Sequence, residues 1–107
     1  MALSVLAVAG CTNRTKISSI FERPDHYFGR DVAVAGRVTE THALNLIIAE
    51  AGVYQLDDGS GKIWVITKTG VPEKGDEVGL KGKVDGGVKL FGEKFGAVIR
   101  EQERRWR

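Results

Sequence analysis

Cysteine and proline are scarce, with one cysteine and two prolines in 107 residues. One thiol closes no internal disulfide, and with only two histidines it supplies too few ligands for a structural zinc site. Charge of one sign is also missing. Sixteen Lys and Arg against fourteen Asp and Glu leave +2, which excludes a polycation but not a local basic face. No apolar run is long. Met1 to Gly10, MALSVLAVAG, is only about half the ~20 residues a bilayer-spanning helix needs. A charged fraction of 28% is ordinary, so wholesale disorder and a polytopic membrane protein are both excluded. Glycine is what the chain has in excess. Fourteen are scattered among Val and Ile, about twice the usual share, and this pattern predicts short strands joined by tight turns. The length suits one domain with one core.

Ile17, Ile20 and Phe21 form one helical stripe, so residues 16–23 are predicted helical, with Thr15 as N-cap and Pro24 as terminator. A turn through Asp25 to Gly29 follows. Val32, Val34 and Val38 then share one strand parity, and Gly36 among them marks a bulge or sharp coil. Residues 41–51 fit either a strand continuation or a helical turn. Residues 53–57 and 62–67 flank Asp58-Gly59-Ser60-Gly61, a strong hairpin signal. A turn at 72–76 precedes a strand at 77–84. Gly86-Gly87 makes another turn, a final strand covers 95–100, and 102–107 is a polar, basic end. Five strands and one short helix predict an all-β antiparallel meander, closed into a small barrel so that its edges are buried.

Ordered pieces of the chain carry a family resemblance. They are Ile17, Ile20 and Pro24, then Tyr27-Phe28-Gly29-Arg30 and Val32-Ala33-Val34-Ala35-Gly36-Arg37-Val38. Next come Tyr54-Gln55-Leu56-Asp57-Asp58-Gly59-Ser60-Gly61, Ile63-Trp64-Val65, Pro72, Gly75-Asp76, Val78 and Gly82-Lys83-Val84. Over about two thirds of its length the chain resembles bacterial OB-fold domains of the anticodon-binding-like, nucleic-acid-binding superfamily. Many such folds place a helix between strands three and four, where this chain has only residues 68–76. The resemblance to small secreted bacterial OB-fold proteins implies that the leading helix plugs the barrel instead.

A tight turn at Gly59-Ser60 would pair Asp57 with Lys62, Leu56 with Ile63, Gln55 with Trp64 and Tyr54 with Val65. Tyr54, Leu56, Ile63 and Val65 then face the core, while Gln55, Asp57, Lys62 and Trp64 face outward. The outer face of strands two and three is where OB folds hold ligands. The candidate ligand-binding residues are therefore Trp64 as stacking platform with Gln55 and Lys62, joined by Arg37, Lys81 and Lys83 for phosphate contacts. The competing expectation is that Trp64 packs under the loop before Tyr54 or against the leading helix, since tryptophan is highly buried on average. A one-residue bulge would swap the two faces.

Val8-Ala9-Gly10-Cys11 resembles the bacterial lipobox, in which small residues precede a cysteine that is acylated and becomes the mature N-terminus. The resemblance implies a signal peptide over 1–10 with a truncated n-region, since nothing before Arg14 is charged. It makes Cys11 the lipidation site, 11–15 a tether, 16–101 the OB domain and 102–107 a basic tail. The alternative is an apolar N-terminal strand with a buried cysteine.

Asp57-Asp58-Gly59-Ser60-Gly61 lacks the spaced ligands of a calcium loop and reads as a turn. His26 and His42 fall in turn regions without metal-ligand spacing. No Ser/His/Asp set, phosphate-cradling glycine loop or catalytic carboxylate pair is recognisable, and no cofactor is expected. The sequence thus predicts a non-catalytic OB-type binding module, lipid-anchored at the bacterial envelope on the periplasmic or outer surface, with an envelope protein as one partner class. The alternative is a cytoplasmic single-stranded nucleic-acid binder.

Overall fold

The computed structural model describes residues 14–46, 49–90 and 92–106. The apolar segment 1–10 and Cys11 lie outside the described residues. Helix α1 spans Ile17–Glu22 and buries Ile17 and Ile20, while Phe21, the third apolar position of its stripe, stays exposed. Pro24 does not simply end it. It opens a second helical turn, α2 (Pro24–Tyr27), where the predicted turn should have begun. The missing N–H and fixed φ of proline suit the first position of a helix. Thr15 is not the cap either: its N–H donates to the Ala33 carbonyl at 2.7 Å, and the cap position, Lys16, makes no side-chain bond.

Seven strands follow: β1 (Asp31–Leu46), β2 (Ala49–Asp57), β3 (Lys62–Thr67), β4 (Glu77–Asp85), β5 (Val88–Leu90), β6 (Glu93–Phe95) and β7 (Val98–Trp106). Five of them close a barrel in the order β1-β2-β3-β7-β4, while β5 and β6 form a separate hairpin. The predicted all-antiparallel meander needs one correction, because β3 and β7 pair in parallel. A ring with an odd number of strands cannot alternate direction all the way round. Residues 41–46 continue β1 and 49–51 open β2, so the described part of the ambiguous segment is strand. The last strand begins later than the sequence predicts: Phe95 belongs to β6, and β7 reaches Trp106 instead of fraying into a tail.

Two glycines make closure possible. A Cβ at Gly36 would fall on the Asp57 carbonyl, at the point where β1 pairs with both β2 and β4. A Cβ at Gly82 would fall on the Arg100 carbonyl, beside a register shift that pairs Lys81 with Glu103 and Gly82 with Glu101. Gln102 is the extra residue of that bulge. The bulge reverses side-chain parity along β7, so Glu101 and Arg104, three residues apart, both turn their side chains inward, with only 4% and 12% of them exposed.

Tyr54, Leu56, Ile63 and Val65 fill the interior as expected, with Val34, Val78 and Ile99. Ile17 and Ile20, both 0% exposed, join the same core, so the leading helix does plug the barrel. A polar cluster stands elsewhere in the core wall. The Tyr54 hydroxyl donates to Glu101 Oε1 at 2.5 Å, Thr67 donates to Glu101 Oε2 at 2.7 Å, and Arg104 Nη1 donates to Glu101 Oε1 at 3.1 Å. Burial and then the donated bond to Glu101 push the Tyr54 hydroxyl far above its ordinary range, with Arg104 opposing, so it remains a donor.

Candidate functional site

The β2–β3 hairpin has the predicted register throughout: Asp57 opposite Lys62, Leu56 opposite Ile63, Gln55 opposite Trp64 and Tyr54 opposite Val65. No bulge interrupts it, so Trp64 lies on the outer face. Its turn is built by Asp58, whose Oδ1 accepts the Ser60 N–H at 2.8 Å and the Ser60 hydroxyl at 2.7 Å. Asp57 Oδ1 accepts the Gly59 N–H at 2.8 Å.

Trp64 is half-buried, and the hairpin that precedes Tyr54 supplies one of its ring neighbours. It stands between rings from two different hairpins. The His42 ring, from the β1–β2 hairpin, lies 5.8 Å away with a 45° tilt. Phe95, from the β5–β6 hairpin, meets it edge-on at 6.4 Å and 66°. Val53 and Val98, 3% and 0% exposed, also belong to this outward parity but not to the barrel core. The outer wall of β2, β3 and β7 therefore carries its own small apolar floor, flanked by two hairpins.

Of the other sequence-derived candidates, Gln55 and Lys62 lie on this face. Gln55 is directly opposite Trp64, and its Oε1 accepts the Thr39 hydroxyl at 2.9 Å. Thr39 is the extra residue of a β1 bulge between Val38 and Glu40. That bulge puts Glu40 and His42 on the outer face, 3.7 Å apart. Lys62 is exposed across from Asp57, and Arg37 lies beyond Asp57 on β1, bonded to Glu77 at 3.3 Å. Lys83 and Lys81 are not part of the group. Both are on β4, with β7 standing between them and β3. Lys83 sits between Asp31 and Arg100, whose guanidinium is taken by Asp85. The alternation of β4 correctly put both lysines outside, but strand parity does not say which side of a closed ring they face.

His42 and Phe95 are the neighbours the sequence did not reveal. His42 falls in a strand, not a turn, and Phe95 is thirty-one positions from Trp64 with no local pattern joining them. Among the described residues no three His, Cys, Asp or Glu side chains gather as a metal set. No described helix is long and apolar enough to cross a membrane.

The architecture is that of a small OB-like β-barrel: five closed strands and a plugging helix. No family model matches the chain, and no curated protein does. Among solved structures it is similar to an OBody bound to hen egg-white lysozyme. The two are 21% identical, the match covers 76% of this chain and 83% of that one, and the TM-score is 0.58. What they share at that identity is the fold.

Proposed function

We propose that this chain is a non-catalytic OB-fold binding module, carried at the bacterial envelope by a lipid on Cys11, with the outer face around Trp64 as its ligand surface. The carrying observation is the half-buried Trp64 ring set between His42 and Phe95. A flat aromatic surface between two projecting hairpins suits a partner's ring or apolar side chain. Gln55 and Lys62 supply polar contacts beside it. The OBody, a barrel of this shape, is bound to a protein, which supports a protein partner. The lipid anchor rests on the small-residue run ending in Cys11.

A second reading has its own support. Lys62 is exposed beside the Trp64 row, and Lys89 faces Lys94 across the hairpin that carries Phe95. Single-stranded nucleic acid would stack a base on Trp64 and set its phosphates near these lysines. Radiolabelled palmitate should mark the wild type grown in bacteria and spare Cys11→Ala; equal labelling or none removes the anchor. Oligonucleotide binding that weakens with salt and with Trp64→Ala would decide for the second reading.

A further inference from the structure

On the wall formed by β1, β4 and β7, away from Trp64, Arg14 extends the rows of paired strand residues. The N-terminal segment bridges β1 in parallel, Arg14 beside Ala33. Ala33 pairs with Lys81 on β4, and Lys81 pairs with Glu103 on β7. One row thus reads Arg14, Ala33, Lys81, Glu103. In the next row Gly79 lies opposite Arg105. Ala33 and Gly79 leave the centre low, and the rim is long and mostly cationic. The result is an open trough of about 420 Å³, within the range of small-ligand sites.

The charges do not cancel. Arg105 approaches Glu103 at 3.6 Å, with both side chains more than half exposed. Arg14 and Lys81 form no ion pair among the described residues. Three cations and one carboxylate leave a local excess as large as that of the whole chain, +2. Two guanidinium forks and one ammonium around a small-residue floor match a group with several peripheral oxygens and close to two negative charges.

We infer that this trough is an anion site for a phosphate-bearing group, either a free phosphate compound or the headgroup of an anionic lipid. The low floor admits the group to the sheet surface, Lys81 meets it centrally, and Arg14 and Arg105 close on it from opposite sides. The inference goes beyond the function proposed above and requires neither the anchor nor the Trp64 face.

The test uses the ¹⁵N-labelled full chain with Cys11→Ser, so that no acyl group contributes. Inorganic phosphate is titrated at constant ionic strength, as are vesicles of phosphatidylglycerol in phosphatidylcholine and of phosphatidylcholine alone. Saturable phosphate shifts at the Ala33, Lys81 and Arg105 amides, weakened at least tenfold by Lys81→Glu and not by Lys74→Glu, support a free phosphate ligand. Binding only to the phosphatidylglycerol vesicles, with the same dependence on Lys81, supports a headgroup. Lys81→Gln replaces Lys81→Glu if the latter loses its dispersed spectrum. Absence of saturable binding to either probe, or binding equally sensitive to Lys74→Glu, overturns the inference.

Discussion

Asp58 Oδ2 accepts the backbone N–H of Ile17 at 2.9 Å, across 41 positions of sequence. Ser60 Oγ accepts the next N–H, from Ser18, at 3.1 Å. The β2–β3 turn therefore caps the helix that plugs the barrel, and neither Thr15 nor Lys16 does so. Closing the hairpin and docking the helix become one event. Helix α1 has only six residues, too few to persist alone in water.

Removing the Asp58 side chain should therefore loosen the helix as well as the turn. Asp58→Ala is expected to cost about 1 kcal/mol, within the 0.5–2 range of lost N-caps. That lowers Tm by roughly 4–8 °C for a domain of this size, read by circular dichroism. Thr15→Ala should leave Tm nearly unchanged.

The same carboxylate gives a pH dependence. Partial burial pushes its pKa up, but the Ser60 hydroxyl and the N–H groups of Ile17, Ser60 and Gly61 outweigh this, and the net shift is downward. The folded state then holds the proton less tightly than the unfolded chain. The stabilisation is complete above the ordinary carboxylate range near ~4 and is lost as pH falls through the lower folded value. Urea unfolding of wild type and Asp58→Asn should differ at neutral pH and converge in acid. A gap that persists or widens in acid contradicts the assignment.

What was legible in the sequence follows these contacts. The β2–β3 register could be read because a short turn and strict alternation fix it locally. The remote cap could not, since Thr15 is the nearest oxygen in sequence while Asp58 is the nearest in space. The Gln102 bulge was also hidden. It converts the apparent tail 102–106 into strand and buries Arg104, whose side chain is 12% exposed. Within the candidate site, the shared outward face of Trp64, Gln55 and Lys62 is legible in that register. Parity places Lys81 outside but does not say that β7 separates it from Trp64, and only tertiary structure brings His42 and Phe95 beside that ring.

Glu101 and Arg104 give a steeper prediction. Glu101→Ala leaves a nearly buried guanidinium without its carboxylate, and losses of about 3–5 kcal/mol are typical for a broken buried pair. Tyr54→Phe removes one of several donors to Glu101 and should cost only about 1 kcal/mol. Chemical unfolding of the two variants should keep that order.

Gly36 admits no side chain. Gly36→Ala drives a methyl into the Asp57 carbonyl and should lower stability by about 1–3 kcal/mol as β1 shifts. Gly59→Ala, in open space but at φ 90°, strains only the turn and should cost less. Thermal melts of the two variants compare them directly.

Partners are proposed to meet this barrel on the outer face around Trp64. The most direct measurement is photocrosslinking in cells expressing the chain, with benzoylphenylalanine placed at Gln55, at Lys62 or, as a distant control, at Lys74. A discrete adduct is expected from Gln55 and Lys62 that Trp64→Ala abolishes, and none from Lys74. Adducts absent from both face positions, or equal from all three and indifferent to Trp64→Ala, would contradict it.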